Sequence, residues 1–133
     1  MTDALLSSDI IQLATRVVEE NREAGRTIAL AESCTGGLVS AAITEIPGSS
    51  SVLDRGFVTY SNAAKHEAVG VDMALIETHG AVSEAVAVAM AEGARRVGAT
   101  EIGLGVTGGA GISVCWGDGA ALQCCVSDSY ESD

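Results

Sequence analysis

Apolar and polar positions along the first hundred or so residues alternate between long, helix-spaced groups and short continuous runs. Ile10, Leu13, Ala14, Val17 and Val18 recur on one helical face, opened by Ser8-Asp9 and closed by Gly25, which reads as a C-cap. Residues 27–31 form a short apolar run of the kind a buried strand needs, and Leu38, Val39, Ala41, Ala42, Ile43 and Ile46 return to helical spacing until Pro47-Gly48 stops them. Residues 47–51 are a loop. Residues 55–60 combine β-branched and aromatic side chains and predict a second strand. Ser61-Asn62 then starts a helix reaching Val69, and a short helix over 72–78 stops at His79-Gly80. Ser83 caps a further helix with Val86, Ala89, Met90, Gly93, Ala94 and Val97 on one face and Gly98 at its end. Residues 101–106 alternate, with Ile102, Leu104 and Val106 on one side, and lead into a Gly-rich turn, Thr107-Gly108-Gly109-Ala110-Gly111. Strands separated by helices predict a layered α/β domain with a largely parallel sheet. In such sheets ligands collect at the carboxyl ends of strands, and Ser33, Tyr60 and Thr107 each stand at one.

The break between the first strand and the second helix, Ala31-Glu32-Ser33-Cys34-Thr35-Gly36-Gly37, is the richest stretch chemically. A hydroxyl beside the free N–H groups of a helix start suits acyl transfer, because those donors can hold a developing oxyanion. It suits phosphate binding equally well. A plain turn in which Ser33 or Thr35 merely caps the helix is the third reading. A serine nucleophile needs a base. His66 and His79 are poorly placed for it, His79 standing at a helix stop where a capping role fits better. Lys65, early in the helix after Tyr60, is the remaining candidate, able to act as a base if burial lowers its pKa, with Tyr60 relaying or sharing the proton.

Composition narrows the field. The 133 residues suffice for one domain, and 47% are apolar with few aromatics, so Ala, Val, Gly and Ile must fill the interior. The formal charge is −11, and Lys65 is the single lysine beside six arginines. That balance argues against non-specific nucleic-acid binding, which needs a cationic face. An acidic, lysine-poor surface also fits a salt-rich, halophile-like cytoplasm. No stretch has the length of a membrane span, the first residues lack a signal-peptide pattern, and a cytoplasmic location is expected. Cys34, Cys115, Cys124 and Cys125 form no metal-like spacing and the two histidines are far apart, so a zinc site is not expected; no cofactor is expected.

Several segments in order resemble the CinA C-terminal domain family: residues 31–37; Pro47-Gly48-Ser49-Ser50; residues 55–65, from Arg55-Gly56-Phe57 to Ala63-Ala64-Lys65; His79-Gly80-Ala81-Val82-Ser83-Glu84; and Thr107-Gly108 with Ala110-Gly111. The resemblance covers residues 9–111 and implies a three-layer α/β/α domain with a mostly parallel, mixed sheet. It implies a nicotinamide-nucleotide amidase, hydrolysing nicotinamide mononucleotide to nicotinic acid mononucleotide and ammonia. By resemblance Ser33 is the nucleophile and Tyr60 and Lys65 activate it, while Thr35, Gly36, Gly37, Arg55, Thr107 and Gly108 line the substrate. The expected partners are a small nucleotide substrate and further copies of the chain in a homo-oligomer, with no nucleic acid or membrane. The nucleotide's phosphate would fall to Arg55 and the helix start near Thr35. The overall negative charge opposes use of Lys65 as a base, so local burial has to prevail.

After Gly111 the likeness to the family's strand–strand–helix ending lapses. Residues 112–133 read as an atypical tail, as in a truncated or frameshifted member: a hairpin around Gly117-Asp118-Gly119, then a disordered acidic end. A domain thus shortened would be a non-catalytic nucleotide-binding or inactive relative of the amidases, and that is the alternative function.

Overall fold

The computed structural model describes residues 6–108 together with two later strands, 112–116 and 121–122. Helix α1 (Ser8–Ala24) is capped by the Ser7 hydroxyl, and Gly25 closes it in the left-handed conformation. Strand β1 (Ile28–Glu32) is buried along its whole length. Helix α2 (Leu38–Thr44) follows the Gly-rich turn, and a single 3₁₀ turn precedes β2 (Leu53–Val58). Helices α3 (Asn62–Val69), α4 (Met73–His79) and α5 (Glu84–Gly98) come next, each begun by a side-chain cap: Ser61, Asp72 and Ser83. Strands β3 (Ile102–Val106), β4 (Ile112–Trp116) and β5 (Ala121–Leu122) complete the described chain.

The sheet order is β2-β1-β3-β4-β5. Strands β2, β1 and β3 are parallel, whereas β4 runs antiparallel to β3 and β5 antiparallel to β4. The sheet is therefore mixed, and it continues beyond the three strands that the residue pattern marks. Residues 117–120 and 123–133, on which the hairpin turn and acidic end were expected, lie outside the described residues, as do Gly109, Ala110 and Gly111.

Strand alternation sorts the core into two layers. Ile28 and Leu30 pack with Ala14 and Val18 of α1 and with Ala42 and Ile43 of α2. Ala29 and Ala31, on the opposite face, pack with Val69, Ile76, Val86, Met90 and Ala94 from α3, α4 and α5. Gly103 and Gly105 let α5 lie directly on β3: a Cβ on either would collide with the α5 carbonyls of Ala91 and Ala87. On α1, Ala14 and Val18 are buried, but Leu13 is 62% exposed and Ile10 and Val17 are also exposed, so only half of its apolar stripe meets the core.

Candidate active site

Alternation also places the site. Glu32 follows Leu30 onto the α1–α2 face, so Ser33, one residue later, turns toward the α3–α5 layer. Parallel pairing carries on past the strand ends: the Thr59 N–H donates to the Glu32 carbonyl and the Ser33 N–H to the Val106 carbonyl. Ser33 thus sits at the carboxyl ends of all three parallel strands, and is only 7% exposed.

On α3, Lys65 occupies a core-facing position one turn ahead of Val69 and is 1% exposed. A buried ammonium needs acceptors. Its Nζ has three: the Thr59 carbonyl at 2.7 Å, the Tyr60 carbonyl at 3.1 Å and Ser33 Oγ at 3.0 Å. The two carbonyls fix the orientation of the amine and leave its third direction on the serine. Burial pushes the Lys65 pKa below that of an ordinary lysine, opposed in part by the nearby Cys34. Local desolvation therefore prevails over the acidic character of the chain as a whole. With a proton lost, the free lone pair points where the Ser33 hydroxyl proton lies.

The residue before the nucleophile has a separate function that the sequence reading did not assign. Glu32 is 0% exposed, and its carboxylate accepts four hydrogen bonds: from Thr35 Oγ at 2.6 Å, Val39 N at 2.9 Å, Ser40 N at 3.0 Å and Ser40 Oγ at 2.7 Å. Burial raises its pKa, but the bonds from Thr35, Ser40 and Val39 outweigh this and hold it below the usual carboxylate range. The carboxylate fills the start of α2, so those helix donors serve an internal anion rather than a ligand. The available signal was a carboxylate three residues before Thr35, preceding a helix with no acid in its own first turn.

Gly36 and Gly37 (φ 61° and 100°) turn the chain from Ser33 into α2. The Gly36 N–H returns to the Ser33 carbonyl, while the N–H groups of Cys34, Thr35 and Gly37 make no hydrogen bond among the described residues. These are the open donors nearest to Ser33 in the chain.

The other expected site residues fall out differently. Thr107 is buried at the end of β3 and donates its hydroxyl to the Ala81 carbonyl, tying the turn before α5 to the site; Gly108 packs against Val82. Tyr60 reaches Lys65 through its carbonyl only; its side chain is 76% exposed, without a hydrogen bond to Ser33 or Lys65. Thr35 is committed to Glu32. Arg55 stands opposite Ala29, well before the end of β2, paired with Asp54, and is not brought to Ser33. Among the described residues, no group of three His, Cys, Asp or Glu side chains could hold a metal, and no helix is long and apolar enough to cross a membrane.

A three-layer α/β/α domain with a buried Ser–Lys pair at the carboxyl edge of its parallel strands is the class of protein that these features define. The chain belongs to the CinA family, whose C-terminal domain model matches residues 10–117. A CinA-like protein of Anaeromyxobacter sp. (strain K) is 52% identical over 102 residues, covering 77% of this chain and 25% of that protein. One from Syntrophobacter fumaroxidans is 56% identical over 95 residues, 71% of this chain and 22% of that protein. The chain thus spans about a quarter of the length of these curated relatives. Among solved structures, the competence/damage inducible protein CihA from Agrobacterium tumefaciens superposes with a TM-score of 0.84 at 39% identity, over 90% of this chain and 81% of that one. A competence damage-inducible protein A from Klebsiella pneumoniae gives 0.80 at 27%, over 85% and 78%.

Proposed function

We propose that the chain is an amidohydrolase that cleaves the carboxamide of a pyridine nucleotide, with nicotinamide mononucleotide as the substrate to which the family resemblance points. The contact that carries this reading is Lys65 Nζ on Ser33 Oγ at 3.0 Å, made by a buried lysine whose pKa is lowered. Ser33 Oγ attacks the carboxamide carbon while its proton passes to Lys65 Nζ. The carbonyl oxygen becomes an oxyanion, for which the open N–H groups of Cys34 and Thr35 are the candidate donors. Collapse breaks the C–N bond, and the proton on Lys65 leaves with the amine as ammonia. Water then attacks the acyl-serine, giving a proton to Lys65, which passes it to Ser33 Oγ as the ester C–O bond breaks, so that nicotinic acid mononucleotide leaves and both residues are restored. Tyr60, exposed at the mouth, contacts substrate in this reading rather than moving the proton.

Ammonia release from nicotinamide mononucleotide is the test. Ser33→Ala should abolish it and leave the circular dichroism spectrum unchanged. Turnover by the variant at the native rate, or none by the native chain, would remove the reading.

A further inference from the structure

Resting on that amidase reading, we infer that the Glu32 and Thr35 side chains are positioning residues for turnover, the hydrogen bond between them aiming the N–H groups of Cys34 and Thr35 at the oxyanion. Thr35 Oγ donates to Glu32 Oε1 at 2.6 Å, and this bond closes a loop over Ser33 and Cys34. Both candidate oxyanion donors are peptide N–H groups inside that loop, one on each side of Cys34. The nucleophile stands within it as well.

The two ends of the loop are anchored to different elements. At the strand end, the Glu32 carbonyl accepts from the Thr59 N–H at 2.7 Å and the Ser33 N–H donates to the Val106 carbonyl at 2.9 Å. At the other end, the Glu32 carboxylate is itself fixed by Val39 N, Ser40 N and Ser40 Oγ, so the oxygen that Thr35 meets is held against α2. Burial alone would favour the neutral acid, and the four bonds keep the group a carboxylate. A hydrogen bond to such a charged acceptor is about twice as strong as a neutral one. The turn has need of it. Gly36 and Gly37, at φ 61° and 100°, follow Thr35 directly, and glycine is the residue whose backbone rotates most freely. Without the Thr35 hydroxyl, the two peptide units that carry the donors end on that hinge. The geometry therefore gives the hydroxyl to orientation rather than to substrate.

Thr35→Ala and Thr35→Ser differ by one oxygen atom, and both leave the Glu32 carboxylate its bonds from Val39 and Ser40. Ser40→Ala removes the other hydroxyl on the carboxylate, at 2.7 Å but outside the loop, and reports the effect of a purely structural bond. For each variant, kcat and KM for ammonia release from nicotinamide mononucleotide are measured where circular dichroism shows the fold intact. Thr35→Ala should lose about 10–10²-fold in kcat with KM within about twofold, because misplaced oxyanion donors act on the transition state and not on substrate binding. Thr35→Ser should recover most of that loss. Ser40→Ala should lower the urea midpoint as Thr35→Ala does, yet keep kcat within about twofold of native. A rise in KM at native kcat in Thr35→Ala would put the hydroxyl on the substrate and overturn the inference. So would native kinetics in Thr35→Ala, or an equal loss of kcat in Thr35→Ser or in Ser40→Ala. A second readout, the rate at which an alkyl fluorophosphonate labels Ser33, separates this inference from the amidase reading. In that reaction Ser33 Oγ displaces fluoride from phosphorus, its proton passes to Lys65, and the phosphoryl oxygen needs the same N–H donors. The same order of variants in labelling, with no ammonia released by the native chain, would bring down the amidase reading and leave the positioning role standing. Neither ammonia nor labelling above the Ser33→Ala background would bring down both.

Discussion

Lys65 places an ionisable group where α3 calls for an aliphatic one, and its protonation should be visible in both rate and stability. Because burial lowers its pKa, kcat/KM should climb with pH along a limb below the ordinary lysine value of about 10.4. Lys65→Met should erase that limb and cut turnover by about 10²–10⁴-fold, while the melting temperature holds or rises, since a buried cation gives way to an apolar chain. The unfolded chain binds the Lys65 proton more tightly, so stability should also increase as pH rises from the lowered folded-state pKa toward about 10.4. Denaturant melts across that window check the sign, and the Lys65→Met variant should lack the increase. Glu32→Gln tests the neighbouring residue. A glutamine amide nitrogen cannot accept from the half-buried Ser40 N–H, which loses its partner while the Ser40 hydroxyl can turn round to accept instead, costing about 1–3 kcal/mol in urea melts. The Glu32 pKa is lowered in the fold, so its contribution is complete above the unfolded value near 4.3 and disappears as pH falls through the folded one. Ser33 and Thr107 were legible because strand ends beside Gly-rich turns carry a signal. Glu32 was not, because an acid beside such a turn reads as surface until the first turn of α2 folds back upon it.

At the level of elements, α5 bears on β3 through two glycines rather than through interlocking side chains. Gly105→Ala would push a methyl group into the Ala87 carbonyl, which is backbone and cannot rotate away. A loss of about 1–3 kcal/mol or more is expected in thermal or urea unfolding, with activity falling as the end of β3 shifts away from Ser33. Most elements were readable from periodicity and caps: Ser61 and Ser83 begin α3 and α5, and Gly25 ends α1. Exposure was less readable. Periodicity shows that α1 has an apolar face, but Ile10 and Leu13 are covered only if a neighbour reaches them, and neighbours are a matter of tertiary arrangement. Ends slipped for a related reason. Strand β2 begins at Leu53, ahead of its β-branched run, because parallel pairing with Ile28 recruits residues of no particular propensity.

For the molecule as a whole, a charge of −11 means that folding concentrates like charges. Raising KCl from dilute to molar shortens the Debye length from about 30 Å to about 3 Å, and the melting temperature should rise with it. A salt-independent melt would show that self-repulsion is not a significant part of the stability. The Glu32 cluster bears on how this molecule comes apart. Loosening the Ser33 turn means stripping a carboxylate of four hydrogen bonds inside the protein, so the turn lacks the small opening free energy typical of a surface loop. Its fluctuations are joined to those of β1 on one side and α2 on the other, and the catalytic geometry and the fold should vanish within a single cooperative transition.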